Sequence, residues 1–276
     1  MSIASPSPRL QNVIQRPKKM KKYYYVFCKD SILQERQDDG SYTIPLSETP
    51  PTEIKPWTVL LDVAQQDGHE VKAYQIDAPV IDDERYEMSP LRQSYYKLPL
   101  EMYLMAGKCA ELVYWHHNTK YCGVCGGMMK FHTNISKRCE QCGKEVWPQL
   151  ATAIIVLIHK GEEVLLARGR NFKSDFYGLI AGFVETGETL EEAVRREVME
   201  ETGLRIRDIS YFGSQPWPYP SGLMVGFNAQ YDGGELHVQR EELKKVAWFH
   251  RDHLPKLPEK LSIARQLIDH WLNESA

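Results

Sequence analysis

The chain has 276 residues, of which 42% are hydrophobic, and a formal net charge of −3 at pH 7. This length allows one large domain or two to three small ones, and the hydrophobic content is ordinary for a soluble globular protein. The charge excludes attraction of nucleic acid by bulk charge, although a local basic patch could still attract it. No apolar run reaches the roughly 20 residues of a membrane span, and the N-terminal residues lack signal-peptide order. We therefore expect a cytoplasmic protein without a membrane partner.

The first block, residues 1–98, is predicted to be a small β-rich domain after a loose polar start. Strands are predicted at residues 21–27, 57–64 and 70–76, and a turn is predicted at residues 37–40. The run RPKKMKKYYY at residues 16–25 is basic and aromatic. It has two interpretations, a contact with RNA phosphates or a solvated approach to the first strand.

The second block, residues 99–147, combines a predicted helix at residues 100–119 with a cysteine cluster. The cluster has the spacing C-x2-C-x13-C-x2-C, formed by Cys122, Cys125, Cys139 and Cys142. Glycines at 123, 126 and 143 follow the cysteines, as tight knuckle turns require. Four thiolates at this spacing predict a structural zinc site with no open position, and a reducing cytosol disfavours the alternatives of two disulfides or a redox pair.

A zinc ribbon can also bind nucleic acid or protein, and residues 131–138 are mildly basic. The two remaining cysteines, Cys28 and Cys109, are interpreted as ordinary buried residues.

The third block, residues 148–276, alternates strands and helices. Strands are predicted at residues 152–158 and 176–184, and between them lie a turn at residues 160–161 and a further strand. More strands follow, and a helix closes the chain at residues 262–272. This order predicts a mixed sheet flanked by helices, within an α+β protein overall.

A glutamate-rich helix lies inside this third block. Thr189 and Glu192 fit a capping box, and Gly203 is placed to end the helix after about 13 residues. At roughly 100° per residue, one face is apolar and continues into two glutamates. The apolar members of that face are Leu190, Ala193, Val194 and Val198, and the acidic members are Glu197 and Glu201, with Glu200 at the edge.

Carboxylates that face a core must be paired or bound to metal, because unpaired burial of a charge is costly. Arg196 alone cannot neutralise three of them, so the pattern predicts a divalent cation, Mg²⁺ or Mn²⁺. Before the helix, Gly182 and Gly187 permit tight or positive-φ backbone, and Glu188 is able to reach an arginine. The segment is therefore predicted to bind metal-bridged phosphates.

These residues resemble the Nudix box, G-x5-E-x7-R-E-hydrophobic-x-E-E-x-G-hydrophobic, at every fixed position. The matching residues are Gly182, Glu188, Arg196, Glu197, Val198, Glu200, Glu201, Gly203 and Leu204. The resemblance implies a C-terminal α/β/α sandwich that hydrolyses a diphosphate with Mg²⁺ or Mn²⁺ and water. It also implies catalytic roles for Glu188, Arg196 and the three later box glutamates, of which Arg196 orients carboxylates through Glu188.

Further metal ligands are implied by the same resemblance. They are the backbone carbonyl of Ala181 and the carboxylate of Glu242, for which Glu241 is the neighbouring alternative.

A proline-rich segment, SQPWPYPSG at residues 214–222, forms a stiff loop that holds Trp217 and Tyr219. Alone it would be an ordinary connector. Together with the box it resembles the substrate loop of the NudC-type NADH pyrophosphatases. Tyr219 replaces a family phenylalanine, and Gly222 stands where the family has a serine, so that hydroxyl contact is lost or supplied by Ser221.

The resemblance also implies a set of substrate-binding residues around two flat rings. These are Arg92, Trp147, Phe183, Gln215, Pro216, Trp217, Pro218, Tyr219, Pro220, Ser221, Gly222 and Ala264. Two of these residues have an alternative interpretation without a role in binding. Phe183 also fits a position in a strand core, and Arg92 fits an ordinary surface position.

The resemblance implies hydrolysis of NAD(H) to NMN(H) and AMP, removal of NAD caps from RNA 5′ ends, and a homodimer with shared active sites. Two alternatives stay open at this point. One is a Nudix hydrolase of another dinucleotide, such as ADP-ribose or a diadenosine polyphosphate. The other is a non-catalytic zinc-ribbon module that binds RNA or protein.

Overall fold

The structure, a computed structural model, describes residues 20–170 and 175–274. Within these residues the chain forms a seven-stranded sheet, a three-stranded sheet and a six-stranded sheet. The predicted loose start, and the first part of the basic run at residues 16–25, lie outside the described residues. None of the helices in the described part of the chain is long and apolar enough to cross a membrane.

The N-terminal sheet has the strand order β3-β2-β1-β6-β5, with β4 beside β1 and β7 beside β2. Its strands are β1 (Lys22–Cys28), β2 (Ser31–Arg36), β3 (Tyr42–Thr43), β4 (Leu46–Ser47), β5 (Leu61–Gln66), β6 (His69–Gln75) and β7 (Tyr86–Pro90). The first and last predicted strands of this block are confirmed, as is the turn at residues 37–40, where Gly40 has φ 83°. The strand predicted at residues 57–64 is wrong in its first half, because Trp57 is 67% exposed and strand pairing begins at Leu61.

The aromatic part of the basic run lies inside this domain. Tyr23, Tyr24 and Tyr25 are all buried, with exposed fractions of 7%, 3% and 0%, so they cannot stack on RNA bases. Lys22 forms an ion pair with Glu70 at 2.8 Å. For the described residues of the run, the interpretation as an aromatic RNA contact is wrong. The solvated approach to the strand is found only at Met20 and Lys21, because the tyrosines belong to the buried strand itself.

Two helices, α1 (Leu91–Ser94) and α2 (Leu100–Asn118), follow this sheet. The buried face of α2 packs against the sheet through Tyr103, Ala106, Cys109 and Val113. A small ribbon of three strands comes next, β8 (Met129–Thr133), β9 (Ser136–Cys139) and β10 (Glu145–Val146). Thus α2 joins the N-terminal sheet to the cysteine ribbon.

The C-terminal sheet has the strand order β14-β15-β11-β12-β16, with β13 paired to β11. Its elements are β11 (Ala151–Lys160), β12 (Glu163–Gly169), β13 (Ile180–Phe183), α3 (Leu190–Thr202), β14 (Arg205–Pro216), β15 (Gly222–Gly233), β16 (Leu243–His250) and α4 (Ile263–Glu274). The strand predicted at residues 176–184 is confirmed only for its second half.

The sheet is mixed, because β11 runs parallel to β15 and antiparallel to β12 and β13. Alternate β11 residues face opposite sides: Ile154 and Val156 pack with α3, while Ile155 and Leu157 pack with α4. A strand buried on both faces reads as a continuous apolar run. The predicted α/β/α sandwich with a mixed sheet is confirmed.

Candidate active site

Helix α3 begins and ends as its sequence predicts. Thr189 Oγ1 accepts a hydrogen bond from the Glu192 N–H at 3.2 Å, and the Glu192 carboxylate accepts from the Thr189 N–H at 2.7 Å. Gly203 ends the helix in the left-handed conformation with φ 70°. These caps fix the helix register, and with it the direction of each glutamate.

The inward face of α3 places acidic side chains where they are largely shielded from solvent. Ala193, Val194 and Val198 are fully buried, and Glu201 is only 4% exposed. The Glu197 side chain is 12% exposed and that of Glu200 is 53% exposed. The predicted arrangement of Glu197 and Glu201 on the face and Glu200 at its edge is therefore found in the structure.

Gly182 on β13 makes room for the Glu197 side chain. A β-carbon at position 182 would lie 2.0 Å from Glu197 Oε1, so any side chain there would displace the Glu197 carboxylate from its observed position. Close approach, and not positive φ, is what requires glycine here. Gly187 is the residue of this loop that takes positive φ, at 95°.

Arg196 connects the approach loop, the strand and the helix. Its Nε and Nη2 donate to the two oxygens of Glu188 at 3.0 and 2.6 Å, while Nη1 donates to Glu197 at 2.9 Å and to Glu200 at 3.1 Å. Nη2 also donates to the Phe183 carbonyl at 2.9 Å. The guanidinium holds the pKa of Glu188 down at about 2. Arg196 is thus saturated with protein acceptors and orients three carboxylates.

Glu201 is left outside this network. Its buried Oε2 has no hydrogen-bond partner among the described residues. Burial raises the pKa of Glu201 to about 8, and the nearby carboxylates of Glu197, Glu242 and Glu200 add to the rise. Burial likewise raises the pKa of Glu197, against the opposing effect of Arg196.

A buried carboxylate without a hydrogen-bond partner, near enough to other carboxylates to be affected by their charge, fits a site for a hard divalent cation. Glu242 lies in the turn before β16, and its charge acts on both Glu201 and Glu197. Ala181 lies on β13, one residue before the glycine that faces Glu197. The five predicted ligands for this cation therefore come from α3, β13 and one turn.

Two of the residues predicted to bind substrate, Phe183 and Gln215, lie at the two ends of a row of paired residues that crosses four neighbouring strands. Phe183 pairs with Ala153, Ala153 with Met224, and Met224 with Gln215. At about 4.8 Å per strand, the row places Phe183 about 14 Å from Gln215. Phe183 is 66% exposed, so the alternative that it packs in the core is wrong.

The proline loop after Gln215 is held in place on several sides. The Gln215 amide donates to the Leu261 carbonyl and accepts from the Ile263 N–H, both at 2.8 Å, which ties it to the start of α4. Ser221 Oγ donates to the Gln149 carbonyl at 3.0 Å. At Gly222 a β-carbon would lie 3.1 Å from the Ala151 carbonyl oxygen, which explains why a side chain is disfavoured there.

The other predicted substrate residues lie around this loop. The guanidinium of Arg92 lies 5.1 Å from the ring centre of Trp217 and 6.0 Å from that of Tyr219. Trp147 is half exposed just before β11, and Ala264 is buried on α4. Two contacts to the loop were not predicted, from Tyr103 and Glu111 of α2. Nothing in the local pattern of α2 indicates them.

The four predicted cysteine ligands come together in the ribbon. Among the described residues, only these four bring three or more metal-ligating atoms within 4.8 Å of one another. The sulfurs of Cys122 and Cys142 are 3.6 Å apart, and those of Cys125 and Cys139 are 3.4 Å apart. These distances exclude disulfides, whose sulfurs lie about 2.05 Å apart, and approach the roughly 3.8 Å expected across a tetrahedral thiolate site.

Two of the three glycines in the turns after the cysteines adopt the expected positive φ, and the third does not. Gly126 and Gly143 both have φ 75°, as the turns require. Gly123 does not take positive φ and has open space around its Cα, so nothing there requires glycine. Cys28 and Cys109 are buried in the N-terminal domain, as predicted.

The mildly basic ribbon segment at residues 131–138 does not present its lysine to nucleic acid. Lys137 is 1% exposed, and its ammonium donates to the carbonyls of His116 and Thr119 at 2.8 and 3.2 Å. Arg138 forms an ion pair with Glu145 at 3.1 Å. Lys137 is thus used inside the protein, whereas Arg138 is exposed and paired with a glutamate.

Comparison with known proteins agrees with this geometry. Residues 147–271 match the family described as NUDIX domain, and residues 21–115 match the one described as NADH pyrophosphatase-like rudimentary NUDIX domain. A Pseudomonas aeruginosa protein named NAD-capped RNA hydrolase NudC is 38% identical over 86% of this chain and 84% of its own length. A Stutzerimonas stutzeri protein of the same name is 39% identical over 75% of each chain.

Among solved structures, a Nudix hydrolase from Nitrosomonas europaea is 21% identical, with a TM-score of 0.48 over 56% of this chain and 91% of its own. The family matches and the curated relatives carry the assignment. The chain belongs to the Nudix hydrolase superfamily, in its NADH pyrophosphatase-like, NudC-type branch.

Proposed function

We propose that this protein hydrolyses the diphosphate bond of NAD(H) to give NMN(H) and AMP, and that it removes NAD caps from RNA 5′ ends by the same reaction. The observation that carries the proposal is the buried, unpartnered carboxylate of Glu201 among other acids on the Nudix helix. The relatives named NAD-capped RNA hydrolase support the substrate, because they match most of the chain.

Glu197 and Glu201 are the proposed principal ligands of Mg²⁺ or Mn²⁺, with Glu200, Glu242 and the Ala181 carbonyl completing the set. A bound divalent cation lowers the pKa of a coordinated water and offsets charge on the diphosphate. Arg196 keeps one oxygen each of Glu197 and Glu200 fixed while the other oxygen remains available. Glu188 acts through Arg196, since both of its oxygens are bonded to that guanidinium.

Replacing Arg196 with lysine should lower kcat roughly 10- to 100-fold, because a single ammonium cannot hold Glu188, Glu197 and Glu200 together. Steady-state rates at saturating Mg²⁺ measure this effect. Arg195→Lys is the matched control, since Arg195 is exposed and its side chain contacts only the Glu191 carbonyl among the hydrogen bonds of the described residues. Equal kcat values for the two variants would show that the orientation of the carboxylates does not depend on Arg196.

Phe183 supplies an exposed ring at one end of the row that leads to the proline loop. Stacking of one substrate ring on this phenyl group should contribute about 1–3 kcal/mol. Phe183→Ala is therefore expected to raise KM for NADH about 5- to 100-fold. Phe183→Tyr keeps an aromatic face and should retain most of the affinity; equal losses in both variants would argue against stacking.

The four-cysteine site is proposed to hold zinc, as a closed and therefore structural site. Four reduced cysteines also support a cytoplasmic location. We further propose a homodimer, in which the partner completes the site near Trp147. Support comes from the exposed apolar side chains of Trp147, Leu150 and Phe183, which lie at the paired ends of β11 and β13.

The alternative of a different dinucleotide substrate is disfavoured by the match of the proline loop. The alternative of a non-catalytic ribbon module is disfavoured by the intact carboxylate set. The decisive experiment is a comparison of kcat/KM for NADH, NAD, ADP-ribose, a diadenosine polyphosphate and NAD-capped RNA, with product identification and an EDTA control. We expect NADH to give NMNH and AMP, and we expect this activity to be lost in EDTA. A higher kcat/KM for ADP-ribose than for NADH would overturn the assignment of NAD(H) as the substrate.

A further inference from the structure

The proline loop, residues 214–222, rests on one face of helix α2. Three residues of α2 at four-residue spacing approach it: Tyr103 meets Tyr219, Gly107 meets Pro218 and Glu111 meets Gly222. Residues four apart in a helix lie above one another on the same face. Together they form a stripe, which we call the α2 stripe, that contacts the loop at three positions.

Two members of the α2 stripe make hydrogen bonds across the interface. The hydroxyl groups of Tyr103 and Tyr219 are 2.6 Å apart. One carboxylate oxygen of Glu111 accepts a hydrogen bond from the Gly222 N–H at 3.3 Å. Glu111 is half-buried, and burial raises its pKa. The loop is thus fastened near both its centre and its end.

Gly107, between them, sets the distance between the helix and the loop. A β-carbon at this position would lie 3.1 Å from Pro218 Cγ and 3.7 Å from Pro218 Cβ. That separation is shorter than ordinary carbon–carbon contact, so any side chain would push the proline ring outward. Gly107 sits in the interior of a 19-residue helix, where glycine is otherwise unfavourable.

One side of the loop is not fully packed. A cavity of about 220 Å³ lies beside it, lined by Pro218, Tyr219 and Pro220 of the loop, by Phe27 and Leu91 of the N-terminal block and by Ala110 of α2. Because packing there is incomplete, the α2 stripe and Arg92, which lies over Trp217 and Tyr219, are the contacts that fix this side of the loop, in addition to the hydrogen bonds of Gln215 and Ser221.

We propose that Tyr103, Gly107 and Glu111 are positioning residues, which hold the proline loop where it recognises a dinucleotide with two rings. This inference rests on the proposed function and deepens it. It also assigns a task to α2 and the N-terminal block, which would set selectivity for NAD(H) over smaller diphosphates such as ADP-ribose. ADP-ribose has the same diphosphate and adenosine but lacks the second ring, so it depends less on the loop.

The test is the ratio of kcat/KM for NADH to that for ADP-ribose in full-length variants. Gly107→Ala and Glu111→Ala should each lower the ratio about three- to tenfold, the effect of one misplaced or lost hydrogen bond. The change should come from a higher KM for NADH, with kcat for ADP-ribose kept. Because alanine favours a helix interior over glycine, Gly107→Ala should keep or raise Tm.

Two further variants separate positioning from simple support of the fold. Glu111→Gln retains an oxygen that can accept from the Gly222 N–H, so it should restore the ratio lost in Glu111→Ala. Glu101→Ala removes an exposed carboxylate from the first turn of the same helix and should leave the ratio unchanged. An unchanged ratio in Gly107→Ala and Glu111→Ala, or equal losses for both substrates with a lower Tm, would overturn the inference. A wild-type protein that prefers ADP-ribose would instead refute the proposed function.

Discussion

Glu201→Gln is expected to lower kcat for NADH on the order of 10³-fold, about 4 kcal/mol of lost transition-state stabilisation. The change keeps the size of the side chain and removes its charge, and with it a ligand for the divalent cation. Activity should be measured at several Mg²⁺ and Mn²⁺ concentrations, because weaker metal binding alone would be recovered at high concentration. Glu191→Gln, on the exposed face of the same helix, is the control and should keep wild-type kcat.

The same substitution should stabilise the metal-free protein. The folded-state pKa of Glu201 is raised from 4.5 to about 8, so its burial costs nothing at low pH, where the carboxyl is protonated in both states. The cost appears as pH rises above 4.5 and grows until about pH 8, reaching about 3 kcal/mol at pH 7. In EDTA, wild-type stability should therefore fall across this window, while Glu201→Gln should remain flatter.

Divalent metal should narrow this difference in stability between the wild type and Glu201→Gln. Mg²⁺ or Mn²⁺ at about 100 times its dissociation constant should stabilise the wild type by about 2.7 kcal/mol and Glu201→Gln by much less. Thermal unfolding with and without metal at pH 8 measures both effects without any activity assay. Equal stabilisation of the two proteins would place the metal elsewhere.

Cys139→Ser is expected to abolish metal binding by the ribbon and to unfold residues 121–146. The ribbon has a very small core, formed by Cys122, Met129 and Cys139 with the partly buried Val146. So little apolar burial cannot hold three short strands, whereas a four-thiolate zinc site contributes about 10–16 kcal/mol in small zinc domains. Metal content by mass spectrometry and hydrogen exchange of the ribbon should report both losses.

Cys109→Ser provides the matched control, because Cys109 is fully buried in the N-terminal domain and away from the cluster. It should lower stability while keeping one metal ion per chain. A Cys139→Ser protein that retained both its metal and its protected ribbon would contradict the assignment of a structural site.

The local features of the site could be predicted from the sequence because they depend on short-range periodicity. Helix α3, its capping box and the inward direction of Glu197 and Glu201 all follow from about 100° of rotation per residue. The strands β2, β3, β4 and β7 were missed, since β3 and β4 are only two residues long and β2 and β7 mix polar with apolar residues.

Interactions between distant residues could not be predicted. The Glu111–Gly222 hydrogen bond joins residues 111 positions apart, and nothing in either local pattern indicates the partner. The pattern at residues 21–25 favours a strand but does not show whether its tyrosine rings are exposed or buried. Only the packing of the three tyrosines against their neighbours shows that their rings belong to the core.

The most direct test of the central claim is anomalous diffraction from crystals soaked in Mn²⁺ together with a slowly hydrolysed NAD analogue. The account predicts a manganese peak at about 2.2 Å from carboxylate oxygens of Glu197 and Glu201, beside the diphosphate. A map with the analogue bound but no anomalous peak near Glu201, or with the metal held only by other residues, would contradict it.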